Sequence, residues 1–184
     1  MQKNLVAVVT IRKGSQRVKN KNFRLFAKKN LLKHKIEVLQ KVKNLDDIII
    51  NTDSEEAIQI AKDYGVSFEK RENYYASDEC SNSDFWENIA KNTKSKYILF
   101  THCTNPIIEV KTYDNIIKIF EETKNKNDSI NTVSEVKEFL YLENKPLNFN
   151  PEKAPGSQDL PNIVKLNFAI NILTTELMAK KKSL

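Results

Sequence analysis

Five cations crowd one short stretch of this chain. Arg12, Lys13, Arg17, Lys19 and Lys21 surround Gly14, and no Asp or Glu occurs before Glu37. An acid-free loop of this kind suits an anion site: backbone N–H groups together with Lys and Arg can cradle a polyphosphate. The competing reading is a solvated basic loop, because charge runs usually face water. Other candidates for such a site come later in the chain. Asp53 lies in Asn51-Thr52-Asp53-Ser54, Arg71 and Asp78 lie in an irregular polar segment, and His102 and Thr104 lie in Thr101-His102-Cys103-Thr104-Asn105-Pro106.

Buried strands must position these loops. Leu5–Val9 is an apolar, β-branched run that reads as a strand ending at Thr10. Leu32, Ile36, Leu39 and Val42 form a helical stripe within 31–43, and Ile48–Ile50 reads as a second buried strand. Asp53 with Glu56 reads as a helix N-cap with its capping partner, opening a helix over 55–64 that Gly65 closes at C′. Val66–Phe68 is a short strand, and Ser83 or a neighbour caps a helix carrying Phe85, Trp86, Ile89 and Ala90. Tyr97–Phe100 is a third strong strand, and Thr112 is expected to cap the amphipathic helix of Ile116, Ile117, Ile119 and Phe120. Ser129–Ser134 and Leu166–Leu173 read as further strands, and a short helix follows over 175–182. Between them, 143–162 is a Pro-rich excursion holding four of the five prolines. Alternating strands and helices predict an α/β domain with a mainly parallel sheet. Loops 10–24, 51–54 and 101–106 each follow a strand, so they can converge at the carboxyl edge, where open α/β sheets bind ligands.

The 184 residues suit one domain over 1–184. With 40% hydrophobic and 29% charged residues, the composition is that of a globular protein. There is no run of 18 apolar residues, so no membrane partner is expected, and the N-terminus lacks a secretory signal pattern. Cys80 and Cys103 have no metal-ligand spacing and fit a reducing cytoplasm. The net charge of +6 is uneven: residues 1–36 hold eleven Lys and Arg and no acid. Aromatics do not interleave the basic run, which favours a small anionic ligand over a nucleic acid.

The motifs together resemble one family. Arg12-Lys13-Gly14-Ser15-Gln16-Arg17 with Lys21-Asn22 is similar to the A-R-G-G-S-K-R…K-N signature of the acylneuraminate cytidylyltransferases, the CMP-sialic acid synthetases and their relatives. Thr52-Asp53-Ser54, Tyr64-Gly65-Val66 and the stretch from Arg71 to Ala76-Ser77-Asp78 continue the match. His102-Cys103-Thr104-Asn105-Pro106 falls where the family has Q-P-T-S-P. Gln158-Asp159-Leu160-Pro161 and Asn167-Phe168-Ala169-Ile170 resemble its Q-x-L-P and N-G-A-I elements. The resemblance implies a Rossmann-like three-layer α/β/α nucleotidyltransferase fold with a mainly parallel mixed sheet. It also implies transfer of CMP from CTP to the anomeric hydroxyl of an acidic 2-keto (nonulosonic) sugar, with release of pyrophosphate. Arg12 and Lys21 take the catalytic role of stabilising the leaving charge. Gly14 and Ser15 approach the phosphates, while Asn22, Arg71, Ser81 and Ser83 read the nucleotide. His102 and Thr104 face the sugar, and the 143–162 excursion pairs two copies into a homodimer.

Several residues also have plainer readings. Asp53 is read as a helix cap rather than a catalytic carboxylate, Asn105-Pro106 as a turn, His102 equally as a surface histidine, and Phe85–Trp86 as helix packing. Three departures from the family pattern bear on activity: Lys13 replaces a small residue, and Ser157 stands where an arginine commonly precedes Q-x-L-P. The third is that the family's Asp-Ile-Asp type motif, whose carboxylates hold Mg²⁺, would follow about where this sequence ends. Mg²⁺ is therefore expected by resemblance, with its usual protein ligands absent and no metal ligand assigned here. The shortened form is expected to be weak or inactive, and the alternative is a non-catalytic nucleotide-binding or regulatory protein derived from that family.

Overall fold

Val6, Ala7, Val9 and Ile11 are wholly inaccessible although they alternate between the two faces of one strand. Two-sided burial requires neighbours on both edges and helices over both faces. The computed structural model, which describes residues 3–14, 18–26 and 28–184, meets that requirement. In chain order the strands are β1 (Lys3–Ile11), β2 (Leu25–Phe26), β3 (Lys29–Asn30), β4 (Asp47–Thr52), β5 (Ser67–Lys70), β6 (Ser95–Thr101), β7 (Ser129–Val136), β8 (Tyr141–Leu142), β9 (Lys145–Pro146) and β10 (Ile163–Thr174). The helices are α1 (Leu31–Leu39), α2 (Glu55–Asp63), α3 (Asn73–Ala76), α4 (Asn82–Asn92), α5 (Val110–Thr123) and α6 (Thr175–Lys181).

The chain forms two compact units, Met1–Ile130 with Ala169–Leu184, and Asn131–Phe168. In the larger unit β1 lies between β4 and β6, parallel to both, with β5 parallel to β4 beyond it. The last part of β10 runs antiparallel to β6, from Ile170 opposite Thr101 to Thr174 opposite Tyr97. One face of the sheet buries Leu5, Ala7 and Val9 against Leu32, Ile36 and Leu39 of α1, Ala57 and Ile60 of α2, and Ile117 and Phe120 of α5. The other buries Val6 and Val8 against Ile89 of α4 and Met178 of α6. The result is the expected α/β/α layering on a mainly parallel mixed sheet. Each fully buried aliphatic side chain in these layers contributes roughly 1.5–3 kcal/mol. Among the described residues no helix is long and apolar enough to cross a membrane.

Local signals explain most boundaries. Gly65 takes φ +65° after α2, and the bonds Val66 N to Ala61 O and Gly65 N to Lys62 O make a Schellman closure. Two capping expectations are corrected. Ser54, not Asp53, caps α2, accepting from the Ala57 amide at 3.3 Å. α5 begins from Glu109, so Thr112 lies within the helix rather than before it. In both places two adjacent polar candidates compete, and sequence spacing alone does not choose between them.

In the smaller unit the Asn167 side chain bonds Thr132 Oγ1 at 2.7 Å and Ser134 Oγ at 3.0 Å. These polar residues therefore share one strand face and leave Val133, Val164 and Leu166, all exposed, on the other. β8 and β9 form a hairpin whose turn residues Glu143 and Asn144 both have positive φ. Phe168, which stands at the glycine of the N-G-A-I resemblance, has φ +51°, a left-handed conformation uncommon for an aromatic residue.

The cap assignment predicts that Ser54→Ala lowers unfolding free energy by about 1 kcal/mol. The midpoint of urea unfolding should fall with its slope unchanged; an unaltered midpoint would return the cap to Asp53.

Candidate functional site

A cavity of about 550 Å³ opens where β1 and β6 end. Arg12 and Lys21 line it from the basic loop, Arg71 from the segment after β5, and His102 and Thr104 from the loop after β6. Asn22 and Thr10 also line it. Six of the ten site residues expected from the sequence are thus brought together. Ser15 lies outside the described residues. Gly14 does not line the cavity; its φ of +73° is what the turn requires, and a Cβ there would meet nothing within 4 Å. Ser81 and Ser83 do not line the cavity either. Ser81 caps α4 by accepting from the Asp84 amide at 3.1 Å, and Ser83 is exposed on the first turn of that helix. Asn82 between them, with Tyr75, Ser77 and Cys80, lines the cavity and was not singled out from the sequence. The unusually polar stretch from 70 to 83 is the signal that marks them.

Two carboxylates brace the basic loop. Asp53, released from capping duty, accepts the Lys13 amide at 2.7 Å. Asp78 accepts from Arg12 Nη1 at 2.7 Å, an ion pair open enough to water to be worth little by itself. Downstream, Asn20 takes φ +54° and starts a 3₁₀ turn over Lys21–Phe23, and Arg24 Nε donates to the Lys19 carbonyl at 3.0 Å.

Arg71 is buried and structural as well as lining. Its Nε donates to Asn51 Oδ1 at 2.8 Å, and its Nη2 donates to the Asn51 carbonyl at 2.7 Å and the Ile11 carbonyl at 3.3 Å. The guanidinium lies 5.2 Å from the Phe85 ring centre. Burial lowers its pKa to about 10 against the favourable field of Asp53, and it stays charged near neutrality. The plainer reading of Phe85 and Trp86 fits their packing: Trp86 meets both Phe85 and Phe100 edge-on, with ring centres 4.8 Å apart in each pair.

His102 is half-buried in the wall of the cavity rather than exposed on the surface. It stands edge-on to Phe100 at 4.8 Å, and burial, then the charges of Lys21 and Lys35, push its pKa down to about 4. It is therefore a neutral hydrogen-bonding group at pH 7. Beside it, burial pushes the Cys103 thiol up to about 12.

Among the described residues no group of three or more His, Cys, Asp and Glu could hold a metal ion. Asp78 is the carboxylate among the described lining residues, and it faces Arg12. This donor set does not fit a dedicated Mg²⁺ site, whose usual protein ligands are one or two carboxylates beside substrate phosphates.

Comparison with known proteins adds three findings. Residues 6–162 match the family model described as cytidylyltransferase. The N-acylneuraminate cytidylyltransferase of Escherichia coli O18:K1:H7 is 33% identical over 85 residues, 46% of this chain and 20% of that protein. The CMP-N,N'-diacetyllegionaminic acid synthase of Campylobacter jejuni is 37% identical over 75 residues, 40% of this chain and 32% of that protein. The matches thus span a fifth to a third of the length of these two relatives. Among solved structures, a CMP:2-keto-3-deoxy-manno-octonic acid synthetase complexed with CTP shares the fold with a TM-score of 0.73 at 13% identity, covering 97% of this chain and 77% of that one. A 4-diphosphocytidyl-2C-methyl-D-erythritol synthase from Anaerococcus prevotii gives 0.66 at 13% identity, covering 98% and 74%.

The electrostatics predict a pH signature. The unfolded chain takes up the His102 proton near pH 6.5 and the folded chain only near 4, so the stability His102 contributes is complete above that window and is lost as pH falls through it. In ring NMR spectra His102 should stay neutral down to about pH 5, and Lys21→Ala should raise its pKa. Titration near 6.5 in the unaltered protein would overturn the buried placement.

Proposed function

Because this chain belongs to the cytidylyltransferase family, matched over residues 6–162, we propose that it transfers a cytidylyl group from CTP to the anomeric hydroxyl of an acidic 2-keto (nonulosonic) sugar. The hydroxyl oxygen attacks the α-phosphorus, the bond to the bridging oxygen breaks, and pyrophosphate leaves with the electron pair. The hydroxyl proton passes to water. The observation that carries this reading is the convergence of Arg12, Lys21, Arg71, His102 and Thr104 on one cavity at the carboxyl edge of the sheet. Arg12 and Lys21 stabilise the charge that grows on the pyrophosphate. Arg71 uses Nε and Nη2 for the backbone and Asn51, which leaves Nη1 for the nucleotide, with Asn22 beside it. Neutral His102 and exposed Thr104 offer hydrogen bonds to the acceptor. A Mg²⁺ ion carried by the triphosphate would have no dedicated carboxylates among the described residues, and this chain's own contribution to neutralising the phosphates is cationic. The reaction belongs in the cytoplasm, where CTP is made and free thiols such as Cys80 and Cys103 persist.

The smaller unit supports a homodimer. Its exposed Val133, Val164 and Leu166 share an apolar strand face, and Tyr141, Leu142 and Leu147 are exposed nearby in sequence. Sedimentation velocity should give a dimer that Leu166→Asp converts to monomer; a monomeric unaltered protein would remove this part of the reading.

The central test is calorimetric titration with CTP, ATP and UTP, followed by pyrophosphate release with acidic 2-keto sugars. Selective CTP binding and release are expected, and Arg12→Ala should weaken CTP binding by about 1.5–3 kcal/mol. Binding without release for any acidic sugar would identify a nucleotide-binding protein instead. Unchanged affinity in Arg12→Ala would remove the basic loop from the site.

A further inference from the structure

Beneath the loop that carries His102 and Thr104 lies a lysine with 1% exposure. Lys35 Nζ, on α1, donates to Tyr113 Oη at 2.6 Å and to the Asn105 carbonyl at 3.1 Å, and it sits 5.2 Å from the Tyr113 ring centre. Tyr113 Oη is 2.9 Å from Thr101 Oγ1, which donates to the Ala169 carbonyl at 2.7 Å. The preceding residue, His34, places Nε2 2.8 Å from the Pro106 carbonyl. Two consecutive side chains of α1 thus grip two consecutive carbonyls of the 102–106 loop.

Stability does not account for this arrangement. A buried ammonium is expensive, and replacing buried ionic groups with apolar residues of similar volume is often neutral or stabilising. The neighbouring layer of α1, built from Leu32, Ile36 and Leu39, shows what an ordinary core position here contains. What the ammonium gains is a fixed location for a loop of irregular backbone that has no strand partner to hold it.

We infer that Lys35 is a positioning residue for the acceptor side of the cavity: with His34 it fixes the Asn105 and Pro106 carbonyls and so sets where His102 and Thr104 stand. This rests on the cytidylyltransferase reading for its functional consequence, though not for its structural one. The groups around Lys35 are Tyr113 from α5, His102 and Cys103 from the loop, and His34 beside it on α1, while Lys21 from the 3₁₀ turn packed on α1 acts on the same His102 and Cys103. Tyr113 and Cys103 are both pushed up to about 12 by burial and His102 down to about 4, so these three are neutral near pH 8. Burial lowers Lys35 itself to about 8. The unfolded lysine holds its proton to about 10.5, so between these values the unfolded chain binds more protons and folding stability rises with pH. Over the same window the grip loses its charge-assisted bonds and weakens. Stability and loop order therefore move in opposite directions as Lys35 loses its proton, and the acceptor KM decides whether that loss reaches the site.

Lys35→Met tests this through hydrogen exchange of the 101–106 amides, compared with unaltered protein at the same pH, and through steady-state kinetics. The variant should melt no lower than the unaltered protein, while these amides lose about ten-fold in protection. CTP affinity should be unchanged and the KM for the acidic sugar should rise about ten-fold, and the fall in acceptor kcat/KM above pH 8 should disappear. Should Lys35→Met fail to fold, Tyr113→Phe, which deletes the hydroxyl and keeps the ring, should move the same amides in the same direction. Unchanged protection in these amides would overturn the inference. Lost protection with unchanged acceptor KM would reduce Lys35 to a structural role. If the unaltered protein fails to bind CTP, the cytidylyltransferase reading fails, while the exchange comparison still decides what Lys35 does.

Discussion

The carboxyl edge of the sheet is held by a buried guanidinium. Parallel strands end without the hairpins that tie antiparallel ones, so the ends of β1 and β4 need another fastening. Arg71 supplies it by bonding the Ile11 carbonyl of one strand and both the carbonyl and side chain of Asn51 on the other. The loop after β1 and the loop after β4 are thereby fixed relative to each other, and Asp53 can reach the Lys13 amide. A lysine could not make this three-point contact, because it lacks the planar fork of donors. The cost is a buried charge, reflected in its lowered pKa and offset by these bonds, the field of Asp53 and the Phe85 face. The residue that welds the edge also lines the cavity, so architecture and binding surface are one piece.

The second constraint is repulsion among cations. Arg12, Lys21, Arg71 and Lys35 approach a common region from four segments, and two carboxylates act as internal counterions. Asp53 does so from within, fixing a backbone amide, and Asp78 from the rim, facing Arg12. The difference in exposure separates their roles: the Asp53 contact organises the loop, and the solvent-open Asp78 contact is weak enough to yield to a ligand.

Much of this was legible in the sequence. The runs at 5–9, 48–50 and 97–100 are apolar on both faces and so declare central strands. The acid-free stretch to Glu37 locates the basic loop, and Arg12, Lys21, Asn22, Arg71, His102 and Thr104 do meet in one cavity. What could not be read depends on tertiary partners. Spacing could not separate Asp53 from Ser54 as the cap, because the choice is made by the Lys13 amide forty residues earlier. Ser81 and Ser83 were expected at the nucleotide, but the start of α4 commits Ser81 to capping. Nothing in the sequence singled out Lys35; only the closing of α5 and the 102–106 loop over it reveals a buried ammonium. His102 was equally a surface or a site residue until Phe100 and burial placed it.

The cavity's charge arithmetic assigns distinct tasks to its walls. At an effective dielectric constant near 20, two unit charges 4 Å apart interact by about 4 kcal/mol. A polyphosphate that brought two charges to Arg12 would outbid the single carboxylate of Asp78, so on the proposed function recognition of the triphosphate would follow from charge number. Charge number says nothing about which base the nucleotide carries or which acceptor stands opposite. On the proposed function those distinctions would fall to groups whose hydrogen bonds are directional: Asn22 and the remaining Arg71 donors for the base, and neutral His102 with Thr104 for the acceptor. An imidazole kept neutral by burial, and then by the surrounding cations, can discriminate only by geometry, so the position of its loop matters more there than its charge. The fold accordingly buries one arginine where β1 and β4 end and one lysine beneath the 102–106 loop, each bonded to backbone carbonyls rather than to acids.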